Sequence, residues 1–359
     1  MKRITFLLPS IACHPLGGFK VACQYANMLA NDGYKVTLVY PTFMPKQSDS
    51  RLITSLRFLK SILRYISCLV TNKHSCKSWF NLDNRVKEHL TLSLNECFCP
   101  KSDIYIATSI RTAFYLNGYK SNKQKVYLIQ GYEAWGGITD EQVISSYKYG
   151  FKNIVISKWL QRIVLNSGSQ CTLIPNGFDF KYFQKTSDNC DRNKLCVAML
   201  YHTQDLKGCS DGFEALDIVK AKYPELTVNI FGVYPRPNLP EWYHYYQRPD
   251  KDTFNKIYNE ASIFIGTSWG EGWGLTVGEA MICGCAIACT DIDGYKEMVE
   301  DGVTALLSPI KNPKCLADNI IKLIENDSLR FELAKRGSEH IKKFNWEDSY
   351  KKFKSVIEQ

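Results

Sequence analysis

The stretch SIFIGTSWGEGWGLTVGEAMICG, residues 262–284, decides the reading of the fold. A short apolar run (262–266) enters a loop carrying Gly270, Gly272 and Gly274, and an apolar-periodic helix follows from about Leu275. Three glycines in five positions let the backbone approach a ligand closely, and a helix that starts straight after a strand points N–H groups and the positive end of its dipole at an anion. Two carboxylates stand eight residues apart, Glu271 in the loop and Glu279 in the helix. A carboxylate beside an anion site is repulsive unless it accepts hydrogen bonds from neutral hydroxyls, so sugar hydroxyls next to a phosphate account for the pair. Either glutamate alone reads equally well as an ordinary turn or helix residue.

The same strand–loop–helix alternation continues outward in both directions. β-rich runs stand at 4–8, 35–40, 104–108, 126–130, 153–156 and 171–174, then at 195–200, 226–231, 262–266, 286–289 and 304–307. Runs that are apolar along most of their length, separated by helix-length segments, belong to parallel strands covered on both faces. The predicted fold is therefore α/β, two doubly wound Rossmann-like domains facing across a cleft, with ligands at the carboxyl ends of the strands. The turn Pro175-Asn176-Gly177 and the polar stretch 185–194 read as the hinge, placing the domains at 1–178 and 179–345.

Composition narrows the class. With 359 residues, 45% hydrophobic and 23% charged, the chain has core enough for two domains, and disorder is excluded as its main state. No stretch reaches the ~18 consecutive apolar residues of a membrane-spanning helix. Met1-Lys2-Arg3 and the apolar residues after it superficially resemble a signal peptide, but the run is short and contains Pro9, so it reads as a first buried strand and the expected location is cytoplasmic. Fourteen cysteines then read as small buried hydrophobes; Cys97-Phe98-Cys99 and Cys283-Gly284-Cys285 are too tightly spaced for the usual zinc or redox motif. Residues 1–190 hold 24 Lys and Arg against 11 Asp and Glu, whereas 191–359 hold 21 against 25. The basic first half suggests an anionic neighbour: nucleic acid, anionic lipid or a phosphorylated substrate.

One segment stands apart. Across 51–73, Leu52, Leu56, Leu59, Leu63, Ile66 and Val70 recur at helical spacing beside Arg57, Lys60 and Arg64. The ordinary expectation is a helix laying this stripe on the sheet. The alternative is a basic amphipathic helix resting on an anionic membrane surface, at the inner face of the cell membrane.

Residues 262–284 resemble the E-x7-E signature of the retaining glycosyltransferases of family 4 (glycosyl transferases group 1), which have the GT-B fold. Pro175-Asn176-Gly177-Phe178-Asp179 is similar to that family's interdomain stretch, and Thr290-Asp291-Ile292-Asp293-Gly294 with Glu297 to its T-D-x-G-G-x-x-E loop. Gly17-Gly18 looks like its first phosphate-facing loop, and Phe344-Asn345-Trp346-Glu347 like the stretch before its last helix, here 346–359, which in the family crosses back to the first domain. The resemblance implies that Glu279 hydrogen-bonds the donor ribose, that Glu271 faces donor-sugar hydroxyls, and that Lys207 binds the diphosphate. It also implies donor contacts from Gly272, Trp273, Gly274 and Leu275, and no metal or other cofactor. Where the family carries an arginine five residues before the lysine, this chain has His202, so a protonated His202 or Arg248 is expected to supply the second charge. On the acceptor side the candidates are His14, Gln130 and Glu133, with Gln130-Gly131-Tyr132-Glu133 replacing a His-Asp pair common among relatives.

Two competing motifs carry less weight. Asp291-Ile292-Asp293 fits a D-x-D metal site, but its place after a strand and before Gly294 suits the GT-B loop better. The aromatic and basic run 242–248 could stack nucleic-acid bases, yet the second half is net acidic and would repel a polyanion. The resemblance thus implies transfer of a hexosyl or deoxyhexosyl group from a nucleoside diphosphate sugar to a glycan or lipid-linked glycan, in surface-glycan assembly. The alternatives are a non-catalytic or hydrolytic sugar-nucleotide-binding protein, or an epimerase or phosphorylase on the same scaffold.

Overall fold

Thr5 and Phe6, Leu38 and Val39, and Tyr105 and Ile106 are consecutive residues pointing to opposite faces, and all are almost wholly inaccessible, so the first strands are covered on both faces, as parallel sheets are. The computed structural model describes residues 1–45, 49–71 and 73–359. It divides into two compact units, Met1–Pro175 with Ser349–Gln359, and Asn176–Asp348.

The first unit holds seven parallel strands: β1 (Arg3–Leu7), β2 (Lys35–Pro41), β3 (Lys87–Thr91), β4 (Ile104–Ala107), β5 (Gln124–Ile129), β6 (Lys152–Val155) and β7 (Cys171–Leu173). Their order is β3-β2-β1-β4-β5-β6-β7, so the winding direction reverses between β1 and β4. The helices of this unit are α1 (Gly17–Asn31), α2 (Arg51–Thr71), α3 (Ile110–Asn117), α4 (Asp140–Ser146) and α5 (Lys158–Asn166). Strand β3, KEHLT, is absent from the runs read in the sequence because its side chains are mostly polar. It is an edge strand, and its Glu88 carboxylate is satisfied by the hydroxyls of Tyr40 at 3.0 Å and Ser75 at 2.8 Å.

The second unit holds β8 (Cys196–Tyr201), β9 (Thr227–Gly232), β10 (Tyr243–Gln247), β11 (Ile263–Gly266), β12 (Ala286–Thr290) and β13 (Leu306–Ser308) in the order β10-β9-β8-β11-β12-β13. All are parallel, and the reversal lies between β8 and β11. Helices α6 (Cys209–Lys222), α7 (Lys251–Glu260), α8 (Leu275–Ile282), α9 (Pro313–Glu325) and α10 (Asp327–His340) accompany them. The stretch 185–194, expected as a hinge, is instead built into this unit. Asn189 donates to the Ser262 and Gly284 carbonyls, and the buried Arg192 guanidinium takes the carbonyls of Tyr258, Ala261 and Cys283. A cation at two helix carboxyl ends meets unpaired carbonyls and negative dipole ends at once. The polarity that suggested a linker is the polarity of a cap.

The unit boundaries fall at Pro175 and Asp348 rather than at 178 and 345. The reason is local: Phe178 N–H donates to the Phe344 carbonyl at 3.0 Å, and Phe178 bridges Asn345. The two family-like stretches therefore run side by side here, in parallel, through residues that belong to the second unit.

The last helix, α11 (Trp346–Glu358), contributes its residues from Ser349 onward to the first unit. Phe353 is fully buried and stacks on Tyr25 at 4.1 Å. Asp32 accepts from Lys354 at 2.7 Å and Tyr350 at 2.8 Å, which hold its carboxyl below the usual range. All fourteen cysteines are free thiols. Removing the Phe353 ring by Phe353→Ala is expected to destabilise the first unit by about 3–5 kcal/mol. Urea unfolding followed by a probe in that unit measures it; an unchanged midpoint would mean the helix is not part of the core.

Candidate functional site

The reversal point of the second sheet brings two loops together. After β8 the chain turns through Asp205–Lys207 into Gly208, whose φ of +58° opens α6. After β11 it runs through 267–274 into α8. The loops are bound edge to edge: Trp269 N–H donates to the Leu206 carbonyl at 2.8 Å, and the Thr267 hydroxyl donates to the Lys207 carbonyl at 2.7 Å. The Trp269 indole N–H donates to Asp211 at 2.6 Å. A Cβ on Gly208 would lie 2.1 Å from the Thr267 carbonyl oxygen, so only glycine permits both the left-handed turn and this approach.

The consequence is an ion pair. Lys207 Nζ lies 2.9 Å from Glu271 Oε1, and the Ser268 and Tyr295 hydroxyls donate to the same carboxylate at 2.5 and 3.5 Å. Burial would push the Glu271 carboxyl up; the Lys207 charge and these hydroxyls outweigh it and hold the group below its ordinary value. Behind the loop, Gly294 packs against the Glu271 backbone, where a Cβ would sit 2.0 Å from the carbonyl oxygen. Thr290 ties down the Ser268 carbonyl at 2.5 Å. Lys207, Glu271, Thr276 and Tyr295 line a pocket of about 10 Å³, room for one water-sized group. Gly274, at φ +85°, opens α8 beside it, and the first N–H groups of a helix have no partner within it.

The other donor-side candidates are not all gathered here. Glu279 is buried on α8 and accepts from the Tyr258 hydroxyl at 3.2 Å. Gly272 and Leu275 flank the loop–helix junction, but the Trp273 ring is buried edge-on to Phe344 at 5.2 Å. Its ring packs on Phe344, and its indole N–H is buried with no hydrogen-bond partner among the described residues. His202 Nδ1 accepts the Gln204 N–H at 3.0 Å, so the ring proton belongs on Nε2, which faces the Tyr234 hydroxyl. The protonated His202 expected from the sequence would forfeit that bond. Arg248 directly follows the edge strand β10, two strands from β8, with its Nε donating to the Val233 carbonyl. Lys207 is thus the cation the structure sets against Glu271.

Asp291 and Asp293, the D-x-D pair, both reach Lys296, at 3.1 and 3.4 Å. A larger hollow of about 420 Å³, lined by Arg192, Asn229 and Glu260 among others, opens at the amino ends of β8 and β9. Ligands of open α/β sheets gather at the carboxyl ends and the reversal point, and the smaller pocket is the one that lies there. Sequence reasoning missed Ser268, Tyr295 and Tyr258. Ser268 stands three residues before Glu271 and Tyr295 follows the T-D-x-D-G turn, but only the folded loops show what they touch.

The first unit repeats the pattern. Gln130, after β5, donates to the carbonyls of Gly18, near the start of α1, and Thr108, after β4, at 3.3 and 3.1 Å. Gly17 and Gly18 open α1. Glu133 accepts the Ile110 N–H at the start of α3 at 2.5 Å. His14 contacts the Cys13 thiol at 3.2 Å, in the loop before α1. Gln130, Gly18 and Glu133 therefore share the carboxyl edge of this sheet.

Burial pushes the Glu133 carboxyl up to about 7, against the Ile110 N–H and the Arg111 charge, which pull it down. Below its ordinary value of 4.5 the group is protonated both folded and unfolded; between there and 7 the unfolded chain releases the proton first. Its contribution to stability is present at low pH and lost as the pH rises through that window. The melting temperature of Glu133→Gln should fall less than that of the wild type between pH 5 and 8, and parallel curves would show that Glu133 titrates normally.

Known proteins can be set against this geometry. Residues 191–326 match the family model described as glycosyl transferases group 1. An uncharacterized glycosyltransferase of Methanocaldococcus jannaschii is 33% identical over 112 residues, 31% of this chain and 32% of that protein. The phosphatidyl-myo-inositol mannosyltransferase of Mycolicibacterium smegmatis is 26% identical over 190 residues, 50% of this chain and 49% of its own. The chain thus spans about a third to a half of the length of these relatives. Anabaena HepE, solved in complex with UDP-glucose, superimposes with a TM-score of 0.71 over 100% of this chain and 99% of its own at 15% identity. Such a likeness carries the fold, with both parallel sheets in it. Residues 191–326 accordingly carry the likeness to glycosyl transferases group 1, in a chain with the GT-B fold.

Proposed function

We propose that the chain is a retaining glycosyltransferase that moves a hexosyl or deoxyhexosyl group from a nucleoside diphosphate sugar to a glycan or lipid-linked glycan, in bacterial surface-glycan assembly at the inner face of the cell membrane. The observation that carries this reading is the Lys207–Glu271 pair at the reversal point of the second sheet, beside the start of α8. UDP-glucose bound to HepE and the mannosyltransferase activity named for the mycobacterial relative support it.

In this reading the acceptor oxygen bonds to the anomeric carbon on the face from which the diphosphate departs. The carbon–oxygen bond to phosphate breaks, and the acceptor proton passes to a leaving phosphate oxygen. Lys207 and the first N–H groups of α8 meet the charge that grows on the phosphate. Glu271, kept ionised by Lys207, faces the positive charge that grows on the sugar. Glu279, positioned by Tyr258, is the partner for the donor ribose. Transfer without a metal is expected, with Lys207 and the α8 N–H groups meeting part of the charge on the leaving diphosphate.

Lys207→Ala should lower donor affinity and turnover together; a hydrogen bond to a charged group is worth about 1.5–3 kcal/mol, on the order of tenfold to a hundredfold in binding. Glu271→Gln should reduce kcat more than it raises the donor KM. Calorimetry with a panel of nucleotide sugars, followed by steady-state kinetics, measures both; unchanged parameters in Lys207→Ala would remove the phosphate assignment. Turnover should also persist in EDTA. Activity abolished by EDTA and restored by magnesium or manganese would count against metal-free transfer, and a donor that is bound but neither transferred nor hydrolysed would identify a non-catalytic binder.

A further inference from the structure

Helix α2 is turned inside out. Of the sixteen large hydrophobic side chains exposed among the described residues, nine lie on this one helix. Leu52, Leu56, Leu59, Leu63, Ile66 and Val70 form a continuous stripe at three- and four-residue spacing, and Leu52, Leu63 and Val70 are 79, 70 and 81% exposed. The opposite face, where Thr54, Ser61, Tyr65 and Cys68 fall, is the covered one: Ser61 and Cys68 are each 4% exposed. A helix of a globular core buries its apolar stripe. This one buries its small and polar stripe and presents the apolar one outward, which corrects the ordinary expectation. Asn72, within the stretch 51–73, lies outside the described residues.

Charge identifies what covers this face. Lys60 and Arg64 are exposed along one flank of the stripe, and Lys73 is exposed just beyond the helix. Arg57, on the same side but nearer the body, pairs with Asp49. No acidic residue occurs in the sequence between Asp49 and Asp83. An apolar centre with exposed cations along one flank complements an anionic bilayer, whose acyl chains accept the leucines while its headgroups meet the lysine and arginine. A second copy of the chain would bring like charges together. Arg57, Lys60 and Arg64 stand mid-helix, and no helix among the described residues is long and apolar enough to cross a membrane.

We propose that α2 lies in the plane of an anionic membrane, with the stripe from Leu52 to Val70 among the acyl chains and Lys60 and Arg64 at the headgroups. The inference rests on the surface of α2 alone and does not require sugar transfer to occur. Its test is cosedimentation of the full chain with vesicles of phosphatidylcholine alone or mixed with phosphatidylglycerol, and sedimentation velocity without lipid. The wild type should bind the mixed vesicles and bind neutral ones more weakly. Leu59→Glu with Leu63→Glu should abolish binding, and Lys60→Gln with Arg64→Gln should reduce binding to the mixed vesicles on the order of tenfold. Because these side chains point outward, all variants should keep the wild-type melting temperature, which separates lost binding from lost folding. Equal binding to neutral and anionic vesicles, no binding to either, or self-association abolished by the leucine variants would overturn the proposal.

Discussion

The contact between the Lys207–Gly208 turn and the Thr267 carbonyl is the constraint on which the second unit's chemistry depends. It is a backbone-to-backbone approach that any side chain at 208 would block, since a Cβ there would meet the carbonyl at 2.1 Å. Once it is made, Lys207 has to face the loop after β11, and Glu271 is the carboxylate within reach. Burying a carboxylate is unfavourable unless charge and hydrogen bonds compensate. Here Lys207, Ser268 and Tyr295 do so together, and the carboxyl is held ionised despite its burial. Three separate segments therefore converge on one group, which ties the position of Glu271 to the order of the strands rather than to its local sequence.

The opposite edge of the same sheet shows how the scaffold is held. Arg192 and Asn189 occupy carbonyls at the ends of α7 and α8 and in the turns beside them. Buried Arg330 adds a bond to Asn189 at 3.1 Å. Polar side chains here add to the backbone cap of α8, where Gly284 N–H donates to the Met281 carbonyl and Cys285 N–H to that of Ala280, and they leave the carboxyl edge, where α8 begins, to the loops that carry the candidate site. The Lys207–Glu271 pair and the buried polar cluster thus stand at opposite ends of the strands, and the larger hollow lies at the end of the polar cluster.

In the first unit the same topology produces a different set of groups. The reversal between β1 and β4 gathers Gly18, Thr108 and Gln130, with Glu133 at the start of α3. Hydrogen bonds here are mostly from side chain to backbone, and the one carboxylate present is raised toward neutrality by burial rather than ionised by a neighbour. The two reversal points thus provide contrasting environments, one dominated by an ion pair and one by a carboxyl that changes charge near neutral pH. Helix α2 lies outside both, and its reversed amphipathicity is set by which face meets the body of the unit.

The alternation of apolar runs with helix-length segments was enough to read two parallel α/β sheets, because strands covered on both faces need continuous branched and aromatic residues. The glycine loop with Glu271 was legible for a similar reason, since tight turns restrict residue type at fixed spacing, whereas Lys207 was singled out only by what the family resemblance implies. Strand β3 was not legible, since an edge strand tolerates Lys, Glu and His. The 185–194 stretch was misread because a polar run capping buried helix ends looks, in one dimension, like a solvated linker. Periodicity also showed that α2 would be amphipathic but not which side faces inward; the stripe has the same spacing whether it packs on a sheet or points away from it. Likewise the pairing of Glu279 with Tyr258, the Nδ1 bond that fixes the His202 ring, and the burial of Trp273 under Phe344 depend on residues from distant segments. Local spacing determines what kind of group stands in a loop or helix, and only the packing of those segments against one another decides what that group touches and which charge it carries.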